Sequence, residues 1–230
     1  TEDHPLWAPN LPQVSSTTLH GIITDDQNTP LEGVAVQGVL HDAVMTDEQG
    51  IFTLPYATII DGKIQVELTK TGYFHKIHKV QAQDTHTSVH LILSEKQFTT
   101  VNSSSPEQID REGMASVSLP ANGFVSENGE AYSGTIEVAT THYHPDSDYF
   151  ELLMPGGDFM GMDVAGQEVL LLSYGAISVE LYDSYGQALQ LADGNHATIR
   201  LNIPNSMLAD APSTIPLWYF DETQALSLIH

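Results

Sequence analysis

The stretch that decides the fold lies near the start of the chain. Residues 19–36 read Leu-His-Gly-Ile-Ile-Thr-Asp-Asp-Gln-Asn-Thr-Pro-Leu-Glu-Gly-Val-Ala-Val, and residues 44–55 read Val-Met-Thr-Asp-Glu-Gln-Gly-Ile-Phe-Thr-Leu-Pro. Short apolar runs close at turns rich in Asp, Asn, Gly and Pro, which is typical of strands joined by hairpins. Gly33 and Gly50 stand where tight turns need an unhindered backbone, and Asp47 can accept hydrogen bonds from turn amides. This pattern predicts antiparallel β structure.

The same period of two continues on both sides of this stretch, whereas helical periodicity is scarce. In residues 63–69, Ile64, Val66 and Leu68 fall on one face and polar residues fall on the other. We therefore predict an all-β fold of two tandem antiparallel β-sandwich domains, the first with about seven strands. The predicted strands are Leu19–Thr24, Val34–Leu40, Ile51–Leu54, Lys63–Thr69, Phe74–Gln81, Ser88–Ser94, Ala115–Pro120, Gly134–Thr141, Glu168–Ser173, Ile177–Tyr182, Ala197–Ile203 and Ile215–Phe220.

Two segments rich in Pro or Ser divide the chain. Residues 1–17 are predicted to be a Pro- and Ser-rich lead-in, and residues 96–111, with the run Asn102-Ser-Ser-Ser-Pro106, are predicted to be a linker. We therefore expect the first sandwich at residues 18–95 and a second all-β domain at residues 112–230.

The order of motifs in the first domain resembles a known family. A strand with Gly21 precedes Pro30-Leu-Glu-Gly-Val34 and Thr46-Asp-Glu-Gln-Gly-Ile-Phe52, and Gly72-Tyr73 stands ahead of the last strands. This order resembles the carboxypeptidase regulatory-like domain, which is a prealbumin-like (transthyretin-like) sandwich. The resemblance implies a non-catalytic accessory module, of the kind attached to peptidases, surface proteins and outer-membrane transporters.

The second domain carries motifs of its own. They are Met154-Pro-Gly-Gly-Asp-Phe-Met-Gly-Met-Asp163, Leu172-Ser-Tyr-Gly175, Val179-Glu-Leu-Tyr-Asp183 and Ile215-Pro-Leu-Trp-Tyr-Phe-Asp-Glu222. Together they resemble the extracellular β region that follows such a domain in bacterial surface and lipoprotein-type proteins and, distantly, in cartilage intermediate layer proteins. The resemblance implies an extracellular, cell-surface or periplasmic location, and it brings no catalytic residue with it.

Composition narrows the classes of function. Among 230 residues, 7 Lys and Arg stand against 30 Asp and Glu, which gives a net charge of -23, and there is no Cys. This balance repels nucleic-acid phosphates and anionic lipids, so we expect no nucleic-acid partner. The lack of Cys excludes disulfides, Cys-ligated zinc and thiol nucleophiles. No apolar run is long enough to be a transmembrane segment, and because common catalytic signatures are missing we expect no enzyme.

One motif predicts a metal site. In His142-Tyr-His-Pro-Asp-Ser-Asp148, a strand would place His142 and His144 on one face, where two imidazoles can bind zinc, copper or nickel. Asp146, Asp148 or a histidine from a loop would complete the set of ligands. The alternative is an exposed polar strand end that turns at Pro145.

Acidic turns offer a second type of cation site. The oxygen-rich turns of the kind that can hold calcium are Asp25-Asp-Gln-Asn28, Asp47-Glu48, Asp146-Ser-Asp148 and Asp183. Asp and Asn also form such turns without any metal, so the sequence alone leaves both interpretations open.

Two further segments each allow a structural and a functional interpretation. In Phe74-His-Lys-Ile-His-Lys79 the spacing directs His75 and His78 to opposite faces, and we favour a solvated edge strand over a basic patch for a partner. Trp218 and Phe220 share one strand face, and their apolar neighbours favour a core strand over a platform for sugar rings.

The sequence thus favours a non-catalytic extracellular or periplasmic accessory or adhesion-type module that presents β surfaces to a protein or a glycan. A metal-binding protein centred on His142 and His144 is one alternative. A carbohydrate-binding module that uses Trp218 or exposed tyrosines is another.

Overall fold

The protein is built almost entirely from strands. The structure, a computed structural model, describes residues 14–83 and 86–229. Strands joined by turns make up most of this part, which confirms the predicted all-β sandwich fold. Residues 1–13 of the predicted lead-in lie outside the described residues, whereas residues 14–17 already belong to the first strand. In the described ranges, no helix is long and apolar enough to cross a membrane.

The elements follow one another along the chain with short connections. The strands are β1 (Val14–Thr24), β2 (Ala35–Gly38), β3 (Val44–Met45), β4 (Ile51–Ile60), β5 (Lys63–Thr69), β6 (Lys76–Gln81), β7 (His86–Ile92), β8 (Gln97–Asn102), β9 (Glu107–Arg111), β10 (Ala115–Leu119), β11 (Phe124–Ser126), β12 (Ala131–Tyr132), β13 (Thr135–Tyr143), β14 (Met160–Met162), β15 (Glu168–Leu170), β16 (Ala176–Asp183), β17 (Ala188–Leu191), β18 (Thr198–Leu201), β19 (Trp218–Asp221) and β20 (Leu226–Ile229). The two single-turn helices are α1 (Phe150–Leu153) and α2 (Asn205–Leu208).

The first sandwich has a well-covered core. Strands β7, β1 and β4 form one layer, and strands β3, β2, β5 and β6 form the other, joined at the β4–β5 hairpin. Ile64, Val66 and Leu68 alternate along β5, and each is 0% exposed. Gly21 of β1 lies opposite Phe52 of β4, and a Cβ at Gly21 would lie 2.4 Å from the phenyl ring. The motif that predicted this domain therefore includes a glycine that the packing of its strands requires.

One pairing departs from the predicted antiparallel arrangement. Strand β7 lies parallel to β1, with Thr18 opposite His86 and Thr24 opposite Ile92. The alternation of a strand predicts which face is buried but not the direction of the neighbouring strand. The direction of this pair therefore had no signal in the sequence.

The second sandwich packs two sheets of unequal width. The smaller has the order β18-β10-β9, and the larger has the order β12-β11-β17-β16-β13-β8. The core between them contains Ile109, Val117, Leu119, Phe124, Ile136, Val138 and Leu189. Because the smaller sheet has half as many strands, it leaves part of the larger sheet's inner face uncovered.

The predicted linker at residues 96–111 is instead part of this sandwich. Strand β8 pairs with β13 and strand β9 pairs with β10. Both are outer strands with many polar residues, so their sequence resembles a solvated connection. The Arg111 guanidinium joins them to the sheet by donating to the Gln97 carbonyl at 2.8 Å and to the Thr140 hydroxyl at 2.5 Å.

Part of the second domain forms a separate small sheet with the order β15-β14-β20-β19. Strands β14 and β20 pair in parallel within it. The Met160-Gly-Met162 segment has no alternation of apolar and polar residues, so β14 was not predicted. The second domain is thus one sandwich with an additional sheet.

Candidate functional site

Several polar contacts between the first sandwich and the later part of the chain lie on strand β6. The Lys79 amide donates to the Gly156 carbonyl, and the Gly156 amide donates to the Ile77 carbonyl, each at 2.9 Å. The segment that carries Pro155-Gly156-Gly157 therefore runs alongside β6 and covers its outer edge. We call this contact, formed by β6 and residues 150–158, the junction.

Glycine allows the two backbones of the junction to approach each other. Gly157 has a φ of +75°, and a Cβ at this position would lie 2.2 Å from Cε1 of His78. Any side chain at residue 157 would therefore collide with the imidazole and strain the backbone.

Lys76 is buried in the junction. Lys76 is only 5% exposed. Its Nζ donates to the carbonyls of Ile92 at 3.0 Å, Leu153 at 3.3 Å and Leu152. Burial lowers the pKa of Lys76 to about 7. The amine thus connects the last strand of the first sandwich with α1, and its donors are directed at backbone acceptors.

His78 lies two residues further along the same face of β6 and is 6% exposed. The pKa of His78 is lowered to about 3, mainly by burial and also by nearby Lys76, while Asp158 opposes the shift. Its Nδ1 is buried without a hydrogen-bond partner among the described residues. The imidazole is therefore held neutral beneath Gly157.

Ion pairs surround the buried side chains of Lys76 and His78. Lys63 contacts Asp158 at 2.9 Å. His75 lies between two carboxylates, Glu67 of β5 at 2.9 Å and Glu222 of the turn after β19 at 3.1 Å. The hydrogen bond to Glu222 is the main cause that raises the pKa of His75; burial opposes the shift, and Glu67 adds to it. The C-terminal sheet is thus tied to the first sandwich by charge.

A further ion pair lies between the two sandwiches at Lys96, whose amide donates to the Gly72 carbonyl of the first sandwich at 2.8 Å. Lys96 donates to Glu180 of β16 and to the Tyr182 hydroxyl, each at 2.7 Å, and its ammonium lies 5.5 Å from the ring centre of Phe74. A cation held by a carboxylate and aromatic rings is well stabilised in a partly buried position.

These contacts correct the prediction of a solvated edge strand at residues 74–79. That prediction is wrong for Lys76 and His78, because the segment 150–158 covers them. His75 and His78 do have different neighbours, as their spacing predicts. The residues that cover β6 lie far later in the chain, so no local pattern signals the burial. The Pro155-Gly-Gly157 run is the feature of the sequence that could have indicated a close approach between this segment and another backbone.

The predicted metal-site residues come together only in part. The rings of His142 and His144 are 5.7 Å apart in an edge-to-face arrangement, and Nε2 of His142 is buried without a hydrogen-bond partner in the described chain. Burial lowers the pKa of His142, and His144 adds to this shift. Asp146 donates its amide to Nδ1 of His144 at 3.1 Å and accepts from Ser206 at 2.6 Å. Neither Asp148 nor any other described residue completes a cluster of three His, Asp or Glu ligands.

The acidic turns share one hydrogen-bond pattern. In Asp25, Asp47, Asp163 and Asp183, one carboxylate oxygen accepts the amides two and four residues later at 2.7 to 3.0 Å. These carboxylates therefore stabilise their turns without a cation. Calcium binding at Asp25, Asp47 or Asp183 stays a prediction.

Trp218 packs against the backbone of β14. A Cβ at Gly161 would lie 2.6 Å from the indole, while Tyr219 on the opposite face is exposed. The role of Trp218 or of exposed tyrosines in binding sugars stays a prediction.

An apolar cleft of about 410 Å³ opens between the two sheets of the second sandwich. Val117 of β10 and Ile199 of β18 are register partners in the smaller sheet, and both line the cleft. Ile199 is 40% exposed despite its inward position. The apolar side chains opposite are Val179, Leu181, Leu189 and Leu191. The sequence did not reveal this cleft, because alternation marks an inward face and not whether a second sheet covers it.

Comparisons with known proteins add little to this description. No protein-family model and no curated protein matches the chain. A 3-chlorocatechol 1,2-dioxygenase from Rhodococcus opacus 1CP is 15% identical with a TM-score of 0.27, over 35% of this chain and 60% of that chain. The TIE protein of Bacillus anthracis is 15% identical with a TM-score of 0.30, over 83% of this chain and 29% of that chain. This chain therefore spans less than two thirds of either protein, and likenesses this distant leave the resemblance to the carboxypeptidase regulatory-like domain a prediction.

Proposed function

We propose that the chain is a non-catalytic extracellular or periplasmic module in which two β-sandwiches, held together at the junction, present β surfaces to a protein or a glycan. One observation supports this most strongly: the side chains with the most perturbed pKa values are occupied in joining the two parts of the chain. Strongly shifted pKa values usually mark either catalytic sites or structural ion-pair networks. Here the contacts of each group favour the second explanation.

The contacts of Lys76 and His78 illustrate this point. A catalytic lysine or histidine needs a reacting atom within hydrogen-bond reach. The Lys76 amine is directed at backbone carbonyls on two sides of the junction, and His78 is covered by Gly157. Both groups are therefore placed to fix the position of the first sandwich relative to the later part of the chain. This arrangement suits a module that displays surfaces.

The location outside the cell is part of the same proposal. The region 111–230 has Arg111 and Arg200 against 16 acidic residues, a net charge of -14. Such a surface suits a soluble module that avoids anionic polymers and lipids. The motif resemblances point in the same direction.

The experiment compares binding with turnover. The purified chain is immobilised and probed with an array of random 12-residue peptides and a panel of polysaccharides, with heat-denatured chain as the control. The same preparation is assayed with fluorogenic peptides and nitrophenyl glycosides. We expect selective binding that requires the native fold, without turnover. Turnover that a single His or Asp substitution abolishes would overturn the proposal.

A second candidate function is metal binding at His142 and His144, and the buried, unpartnered Nε2 of His142 favours it. Two imidazoles alone form an incomplete site, so water or a partner would supply the remaining ligands. Titration calorimetry of the metal-free chain with zinc and copper chloride tests it. We expect one site that is lost in His144→Ala and retained in the control His41→Ala, whereas flat heats for the wild type would dismiss this function.

A further inference from the structure

We infer that the apolar cleft of the second sandwich binds an extended peptide whose residues alternate between apolar and basic, and that this peptide adds as a strand along β18. The inference rests on the proposed binding function and specifies its partner.

The first step is the incomplete core. In a sandwich, inward residues of both sheets interdigitate and exclude water. Strand β5 of the first sandwich follows this rule, but Ile199 of β18 is 40% exposed although it pairs with the buried Val117. Apolar surface of this kind that stays open to water marks a place where another molecule gains free energy by covering it.

The second step is the edge of β18. In the part of the chain that the structure describes, β18 is the outer strand of its three-stranded sheet. Its residue Ile199 lines the cleft opposite residues of β16 and β17, so the cleft lies beside this outer strand. An added strand would form backbone hydrogen bonds with β18 and direct every second side chain into the cleft.

A peptide strand is the molecule that best fits both the cleft and the edge of β18. A peptide strand meets both features at once, whereas a small apolar molecule would fill the cleft and leave the backbone of β18 as it is. A second copy of the chain would bring two bodies of net charge -23 together, which is unfavourable at moderate ionic strength. The charge of the whole chain therefore favours a cationic partner.

The distribution of charge near the cleft agrees with this choice. Asp183 is the last residue of β16, and Asp193 lies in the turn between β17 and β18. Arg200 is the single cation of the described chain beyond Arg111. The acidic surroundings would therefore attract Lys or Arg in an added strand and speed association, whereas Arg200 on the outward face of β18 repels a basic residue placed directly beside it.

The test uses a labelled, capped ten-residue peptide of alternating valine and lysine. Fluorescence anisotropy measures its affinity for the wild type, for Ile199→Glu and for the matched control Thr198→Glu. Both variants gain one negative charge on the same strand, but residue 198 lies on the opposite face. We expect Ile199→Glu to lower affinity at least tenfold, while Thr198→Glu leaves it equal or tighter. The same peptide with alternate N-methylated amides should lose binding, because it lacks the backbone donors.

Four outcomes would overturn the inference. They are equal affinities for Ile199→Glu and Thr198→Glu, equal binding of a block peptide with five valines followed by five lysines, no binding at millimolar peptide, or binding of dodecanoate in the cleft without binding of the peptide. If array peptides bind the chain and Ile199→Glu leaves that binding unchanged, the proposed binding function stands and the cleft is the wrong surface. If the chain binds neither the peptide array nor the polysaccharide panel, the proposed binding function itself is wrong.

Discussion

Both sandwiches of this chain are built from strands, but they differ in how completely their cores are covered. In the first, Ile64, Val66 and Leu68 are fully buried, and the outer edge of β6 is paired with the backbone of Gly156. In the second, the smaller sheet leaves an apolar cleft, and the inward Ile199 is exposed. The difference arises from strand number, because three strands cover less area than six.

This difference suggests a division of labour. The first sandwich supplies the body to which the later segments attach, and its polar groups form the junction. The second sandwich keeps apolar surface and a strand edge available. Natural proteins usually protect such edges, so an unprotected edge beside an open core is where we expect binding. Substitutions in the covered and in the open region can test this contrast.

The largest expected effect compares two leucine truncations. Leu68→Ala removes side-chain atoms from the covered core and should destabilise the protein by about 2 to 5 kcal/mol. Leu191→Ala removes the same atoms at the open cleft, where water already reaches, and should cost about 1 kcal/mol. Denaturant unfolding of both variants measures the two losses. Equal losses would mean that the second core is as well covered as the first.

The next effect tests the close approach at the junction. Gly157→Ala places a Cβ against His78 at a positive φ, and we expect a loss of about 3 kcal/mol from collision and strain. The control Gly166→Ala has nearly the same φ, +74°, but nothing within 4 Å of the added atom, so it should cost about 1 kcal/mol. Denaturant unfolding measures both, and indistinguishable variants would show that the junction opens without penalty.

The sequence was sufficient to predict the fold class. The alternation in residues 63–69 gave the correct buried face, and the turn aspartates, such as Asp47, accept the expected amides. It failed for β8 and β9, which are outer strands whose polar residues resemble a linker. Local pattern reports the burial of a face, and it says little about strands that are exposed on most of their surface.

The candidate sites were less predictable for a related reason. The proximity of His142 and His144 could be suggested from the period of two, although His144 lies one residue past the end of β13. The burial of Lys76 depends on a segment far later in the chain, and the opening beside Ile199 depends on the number of strands in the smaller sheet. Both are properties of tertiary packing that no short motif encodes.

A smaller effect concerns the loss of stability at low pH. It tests whether the junction excludes water as completely as the first core does. His78 has a folded pKa of about 3, below its ordinary value of about 6.5. Between these values the unfolded chain binds a proton at this site that the folded chain does not, so stability falls as pH falls. We expect about 2 kcal/mol of this loss between about pH 6.5 and 5. Unfolding of the wild type and of His78→Gln across this range measures it, and parallel curves would contradict the burial of a neutral imidazole.

The smallest effect concerns the ion pairs of His75, which connect a separate sheet to the covered sandwich. Glu222 and Glu67 raise the pKa of His75, so their stabilisation is complete below about pH 6.5 and is lost as pH rises through the folded value. Because the carboxylates are half exposed, we expect no more than about 0.5 kcal/mol at about pH 6 and almost none at about pH 8.5. Unfolding of Glu222→Gln and Glu67→Gln at both pH values measures this. Hydrogen exchange separates the two variants: Glu222→Gln should speed exchange in β19 and β20 at the lower pH, whereas Glu67→Gln, within the first sandwich, should do so less. Equal exchange in both would mean that Glu222 does not hold the C-terminal sheet in place.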